Sequence, residues 1–174
     1  MRFRTIRAAA LPAMLATPAA AMSIASADFP DGAAIPAAKI YPRCGGQNVS
    51  PGLSWSGAPA GTKSLVLTMI DVSVKPSGWS HWIVVDLPSG TTGLSRGVAS
   101  LPAPAKVASS NFGDPYYDGP CPPNGTGLHR YAFTIWAMPV ATTAIAPGAK
   151  ADEVAATLAK TALAHAVLTG TATR

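Results

Sequence analysis

Ser64-Leu65-Val66-Leu67-Thr68-Met69-Ile70-Asp71 is the stretch on which the fold turns. It is short, almost wholly apolar, and closes on a carboxylate. Its length and β-branched content predict a buried strand rather than a helix. His81-Trp82-Ile83-Val84-Val85-Asp86-Leu87, closed by Pro88, predicts a second such strand. In His129–Val140 two sets alternate: His129, Tyr131, Phe133 and Ile135 against Arg130, Ala132, Thr134 and Trp136. Two populated faces predict a third strand, interior to a sheet and covered on both sides.

Weaker signals lie around these three. Asn48-Val49-Ser50-Pro51-Gly52 reads as a turn before a short strand, Leu53-Ser54-Trp55-Ser56. Residues 89–128 form a long irregular region rich in Gly and Pro, and such loops in compact domains are usually functional. Val154, Leu158, Thr161, His165 and Leu168 recur at steps of three and four, which predicts a helix over 151–168 with Gly170 as its C-cap. Strands first and one helix late predict one mainly β domain.

The chain has 174 residues, 48% hydrophobic and only 12% charged, too apolar for a disordered protein. Gly 16 and Pro 17 without a three-residue period exclude collagen. The net charge of +5 invites a nucleic-acid reading, but three of the 13 basic residues are Arg2, Arg4 and Arg7. They precede an uncharged run, Ala8 to Ala27, that ends in small residues. That is the layout of a secretory signal peptide over residues 1–27, cleaved after Ala25-Ser26-Ala27 or after Ala19-Ala20-Ala21. Pro12, Pro18 and the many alanines make a poor membrane span, and no transmembrane segment is expected in the mature chain, residues 28–174. Taking three from 13 leaves ten basic residues against eight acidic, a net +2 without a cluster. The electrostatic case for nucleic acid then fails. Cys44 and Cys121, an even pair in an exported chain, favour a disulfide over two free thiols.

Few ionisable side chains stand at strand ends. Asp71 closes one strand, while His81 and His129 open the other two. If those ends converge, one carboxylate and two imidazoles share a small pocket beside the loop Gly119-Pro120-Cys121. A nearby Asp favours protonated His, and two such imidazoles with loop N–H groups attract a phosphate or carboxylate. Tyr131 shares the face of His129, and its hydroxyl completes the anion site; Trp79 is the best placed Trp for a pocket wall. The bland alternative is a pair of hydrogen-bonded structural histidines. A His/His/Asp metal set lacks the close spacing that metal sites show. A Ser80/His81/Asp71 hydrolase lacks a Gly-x-Ser-x-Gly elbow, and adjacent strand residues point to opposite faces. His165, on the stripe of the expected helix, reads as a packing residue.

Asn48-Val49-Ser50-Pro51, Leu65–Asp71, Gly78-Trp79-Ser80-His81-Trp82 and Gly119-Pro120-Cys121 through His129-Arg130-Tyr131 resemble the phosphatidylethanolamine-binding protein family, in its bacterial, Raf-kinase-inhibitor-like branch. The resemblance covers roughly residues 28–174. It implies a central antiparallel sheet packed on a smaller sheet, with a C-terminal helix and one anion pocket. It implies ligand-binding roles for Asp71, His81, Gly119, Pro120, His129 and Tyr131, structural support from Arg130, and strengthens the Cys44–Cys121 pairing. The expected roles are Asp71 orienting and charging His81, His129 and Tyr131 donating to the ligand, and Gly119-Pro120 shaping the wall. One departure is visible: the family's Asp-Pro-Asp-x-Pro segment is here Asp71-Val72-Ser73-Val74-Lys75-Pro76. Ser73 replaces the second carboxylate, and Lys75 is expected to make the pocket rim less negative.

The expected function is that of a periplasmic or secreted binding protein for a small anion such as phosphate or a phosphorylated head group, with no cofactor. The alternatives are an inhibitor of a kinase or protease, and an enzyme using Asp71, His81 and His129 for general acid and base work.

Overall fold

The computed structural model describes residues 21–108, 110–145 and 148–174. The basic start and most of the apolar run of the expected leader lie outside the described residues. In chain order the elements are β1 (Ser23–Ser26), β2 (Leu53–Ser56), β3 (Ser64–Asp71), β4 (Trp79–Pro88), β5 (Gly93–Leu94), β6 (Lys106–Ala108), β7 (His129–Met138), α1 (Ala151–Thr161) and β8 (Ala164–Ala172). They form a five-stranded antiparallel sheet, β6-β4-β3-β7-β8, and a three-stranded one, β1-β2-β5.

The three apolar runs are the three interior strands of the large sheet, as their sequences predict. Side-chain alternation sorts their residues. Leu65, Leu67 and Met69 of β3 join Phe133 and Ile135 of β7 and Leu53 and Trp55 of β2 in the core between the two sheets. Val66, Ile83, Val85, Trp136 and Met138 face the other way, under Val154 and Leu158 of α1. Each such buried side chain stabilises the fold by about 1.5–3 kcal/mol. The region 89–128 is less irregular than its composition suggests, since β5 and β6 lie within it.

The helix expected over 151–168 stops at Thr161, and β8 follows from Ala164. Val154 and Leu158 do occupy its buried face. Beyond it the inward residues follow a period of two: Ala164, Ala166, Leu168 and Ala172 pack on the main core. Nine rungs with β7, from His129↔Ala172 to Ala137↔Ala164, hold the strand. The alanine-rich sequence supports either period, and the ladder on β7 decides. Gly170 is therefore no helix cap. It lies in β8, where a Cβ would collide with Ile35. His165 is exposed on β8 and rests its ring on Trp136, centroids 4.9 Å apart.

Cys44 and Cys121 form the expected disulfide, with Cα atoms 5.5 Å apart. On the chain-entropy model, a cross-link over 77 residues stabilises by about 4 kcal/mol. Near the expected domain start, the Asp28 carboxylate accepts the Gly52 N–H at 2.8 Å and pairs with buried Lys39 at 3.3 Å and with Arg96. Burial works against its charge, but these partners outweigh it and hold its pKa below the ordinary value. β1, on the leader side of residue 27, forms four rungs with β2.

Candidate functional site

Antiparallel order brings the end of β3 and the starts of β4 and β7 together. Asp71 pairs with Trp79 on one side and Tyr131 on the other. A cavity of about 310 Å3 opens there, lined by Asp71, Val74, Trp79, His81, Phe112, Cys121, Pro122, Pro123 and Tyr131. Asp71, His81 and Tyr131 thus converge, as the strand ends predict, and Trp79 is a wall. His129, Gly119 and Pro120 stand behind this lining rather than in it.

A β-bulge aims His81. Met69 pairs with Trp82 and Ile70 with Ser80, so His81 is the extra residue on β4. Bulges of this kind re-aim side chains beside sites. His81 turns into the cavity while Ser80 turns away, its hydroxyl 2.8 Å from Asn111 Oδ1. The imidazole Nδ1–H donates to the Asp118 carbonyl at 2.9 Å. A carbonyl only accepts, so this bond fixes the proton on Nδ1. His81 is 3% exposed. Burial, only partly offset by the Asp118 carbonyl and the Asp71 charge, lowers its pKa to about 4. The expectation that Asp71 charges His81 is therefore corrected: at neutral pH the ring is uncharged, and its Nε2 carries a lone pair.

Asp71 serves the other histidine. Its Oδ2 accepts from His129 Nδ1 at 2.6 Å, and its Oδ1 accepts from the Ser73 amide at 2.9 Å. His129 Nε2 meets the Thr126 hydroxyl at 2.8 Å. With both ring nitrogens engaged, His129 does not donate to a ligand in this arrangement; it positions Asp71. The Tyr131 hydroxyl is buried and makes no well-formed hydrogen bond among the described residues, with the Asp71 carboxylate and the Cys121 main chain nearby. Burial first, then the Asp71 charge, raise its pKa well above the ordinary phenol value, so it stays a protonated donor. A buried donor without a well-formed bond in a cavity wall is a group awaiting a partner.

The rest of the wall is carried by residues 110–121. Asn48, read from sequence as a turn residue and as part of the Asn-Val-Ser-Pro block, clamps it: Nδ2 donates to the Tyr117 carbonyl at 2.8 Å, and Oδ1 accepts from the Gly119 amide at 2.7 Å. Gly119 lies so close to the 39–41 backbone that a Cβ would collide with the Lys39 carbonyl. The disulfide ties the same loop to residue 44. Phe112 stacks on Tyr41 and meets Trp79 and His81 edge-on, with centroids 5.2–5.7 Å apart. Asp118 is buried, with Oδ2 accepting from Ser110 and Oδ1 without a hydrogen bond among the described residues. Burial raises its pKa to about 6, despite the Ser110 bond. Phe112 and Asp118 carried no sequence signal of their own, because the contacts that define their roles are long-range.

Lys75 does not reach this rim. It lines a second cavity, of about 260 Å3, on the opposite face of the large sheet, with Thr68, Thr134, Trp136 and Ala151. The departure at Ser73 has a structural use: its hydroxyl accepts the Arg130 amide at 2.9 Å and fastens the loop to β7. Arg130 is exposed, on the side opposite Tyr131.

Fold and site together define a two-sheet β domain with an ionisable pocket where three strand ends meet. The phosphatidylethanolamine-binding protein model matches residues 25–173, and the chain belongs to that family. A relative from Aquifex aeolicus, a UPF0098 protein, is 37% identical over 87% of this chain and 88% of its own. The Escherichia coli UPF0098 protein YbhB is 39% identical over 68% of this chain and 79% of its own. Among solved structures, Escherichia coli YbcL, described as a new member of the mammalian PEBP family, superposes with a TM-score of 0.81 at 30% identity. It covers 89% of this chain and 99% of its own. No helix among the described residues is long and apolar enough to cross a membrane.

Proposed function

We propose that this protein is an exported binding protein whose pocket at Asp71, His81 and Tyr131 holds the acidic head group of a small ligand, such as a phosphate monoester, without turning it over. The observation that carries this reading is the cavity in which Asp71, His81 and Tyr131 meet, with a buried Tyr131 hydroxyl that makes no well-formed hydrogen bond among the described residues. A phosphate oxygen supplies the missing acceptor. The space exceeds a head group, and its outer walls are Trp79, Phe112, Val74 and two prolines. Such walls suit an apolar or planar body attached to the head group. Calorimetry with phosphate and phosphoethanolamine tests the reading. Binding by wild type and at least tenfold loss in Tyr131→Phe is expected, the effect of removing a hydrogen bond to a charged group. Equal binding by the variant removes the pocket assignment.

Export is supported by the basic, then uncharged, N-terminal sequence and by the disulfide. A Mycobacterium tuberculosis relative, LppC, 39% identical over 94% of this chain, is described as a candidate lipoprotein. Of the two cleavage sites, the one after Ala21 retains β1, whose Ile24 packs on the main core. N-terminal sequencing of the protein from a periplasmic fraction is expected to begin at Met22. A start at Asp28 would mean that β1 is dispensable, and recovery only from cytoplasm with Met1 intact would remove the export reading.

A further inference from the structure

The polarity of the pocket sets a condition on its ligand. At its polar end stand an acceptor, His81 Nε2, and a donor, the Tyr131 hydroxyl, neither making a well-formed hydrogen bond among the described residues, with the Asp71 carboxylate beside them. Among the described residues, no lysine or arginine lines it. His81 faces Asp71 from β3, Tyr131 and His129 from β7, and Asp118 from the 110–121 wall. None of the acids bonds its ring: Asp71 is committed to His129 and Ser73, and Asp118 presents its carbonyl. A fully deprotonated head group would aim lone pairs at the lone pair of His81 and at the Asp71 carboxylate. A head group that keeps one proton matches both atoms, with its O–H donating to His81 Nε2 and a second oxygen accepting from Tyr131.

We infer that the pocket selects acids that enter carrying a proton, so that it takes the monoanion of a phosphate monoester and rejects a sulfate ester of the same shape and charge. His81 is the specificity-determining residue, through its Nδ1–H bond to Asp118, which leaves Nε2 to accept. The inference rests on the head-group reading above and adds the protonation state and the discrimination. It needs no charged histidine, and the low pKa that burial gives His81 agrees with it. A phosphate monoester has its second pKa at about 6, so it can supply the proton near neutrality. A sulfate monoester cannot.

The test is calorimetry of the full mature protein with methyl phosphate and methyl sulfate at pH 6 and pH 8, in two buffers of different ionisation enthalpy. Methyl phosphate is expected to bind at least tenfold tighter than methyl sulfate at pH 6. Its affinity is expected to fall about tenfold per pH unit above its own pKa. Uptake of one proton per ligand is expected at pH 8. His81→Phe keeps an aromatic body without the acceptor, and is expected to bring the two ligands to similar affinity. Equal affinities in wild type, or an affinity that does not fall with pH, overturn the proton condition while leaving the head-group site standing. No binding of methyl phosphate, methyl sulfate or inorganic phosphate at either pH overturns both.

Discussion

The large sheet carries a cavity on each face, and the two differ in kind. On one face, Asp71 and Tyr131 close about 310 Å3 with His81. On the other, their chain neighbours Ile70 and Ala132, with Thr68 and Thr134, line about 260 Å3 beneath α1. One residue of displacement along β3 or β7 exchanges an ionisable wall for hydroxyls and alkyl groups. The difference teaches where this fold concentrates its chemistry. The ionisable face depends on a long wall, residues 110–121, pinned by a disulfide, a glycine and Asn48. The opposite face depends on the sheet, a helix and the short loop 72–78.

That contrast can be broken by loosening the wall. Replacing both cysteines by serine is expected to cost about 4 kcal/mol in denaturant unfolding, from restored chain entropy. It should weaken phosphate binding as well. A loss of stability with binding intact would mean that the wall does not need its tie. Gly119→Ala is expected to cost about 3 kcal/mol, because the Cβ has no space against main chain at Lys39. The pocket should be distorted with it.

Titration sharpens the same contrast. Between pH 6.5 and about 4 the unfolded chain protonates His81 and the folded chain does not, so acidification through that window destabilises the protein. Asp118 acts with opposite sign. Its raised pKa contributes stability that is present below pH 3.8 and is lost as pH rises through about 6. Asp118→Asn is therefore expected to raise stability at pH 7.5 by on the order of 2 kcal/mol, and to steepen the fall towards pH 4. An unchanged pH profile in this variant would show that Asp118 is not held protonated in the fold. The smallest effect belongs to the other cavity. Thr134→Val removes a hydroxyl from the lining of this cavity, one for which no hydrogen bond is seen among the described residues, and should change stability by less than about 1 kcal/mol.

The interior strands were legible because their apolar runs are long and their alternation is strong. Asp71, His81 and Tyr131 were legible for the same reason: they sit at the ends of those runs. The roles were less so. Sequence paired Asp71 with His81, whereas its carboxylate bonds His129; register sets Asp71 opposite Trp79 and Tyr131, and the bulge turns His81 to a separate partner. Lys75 was expected at the pocket rim because it lies in the segment that matches the family's Asp-Pro-Asp-x-Pro, but it lines the cavity on the other face. The end of α1 was misread because Thr161, His165 and Leu168 continue a helical spacing through residues that the β7 ladder holds extended. In each case a long-range contact overrides a local pattern, and a single sequence does not display such contacts.

The most direct test sets one residue from each face side by side: the affinity for methyl phosphate at pH 6 of wild type, Tyr131→Phe and Thr134→Val. At least tenfold weaker binding is expected for Tyr131→Phe, and no change for Thr134→Val. Equal affinities in Tyr131→Phe and wild type, or a loss confined to Thr134→Val, would contradict the pocket assignment.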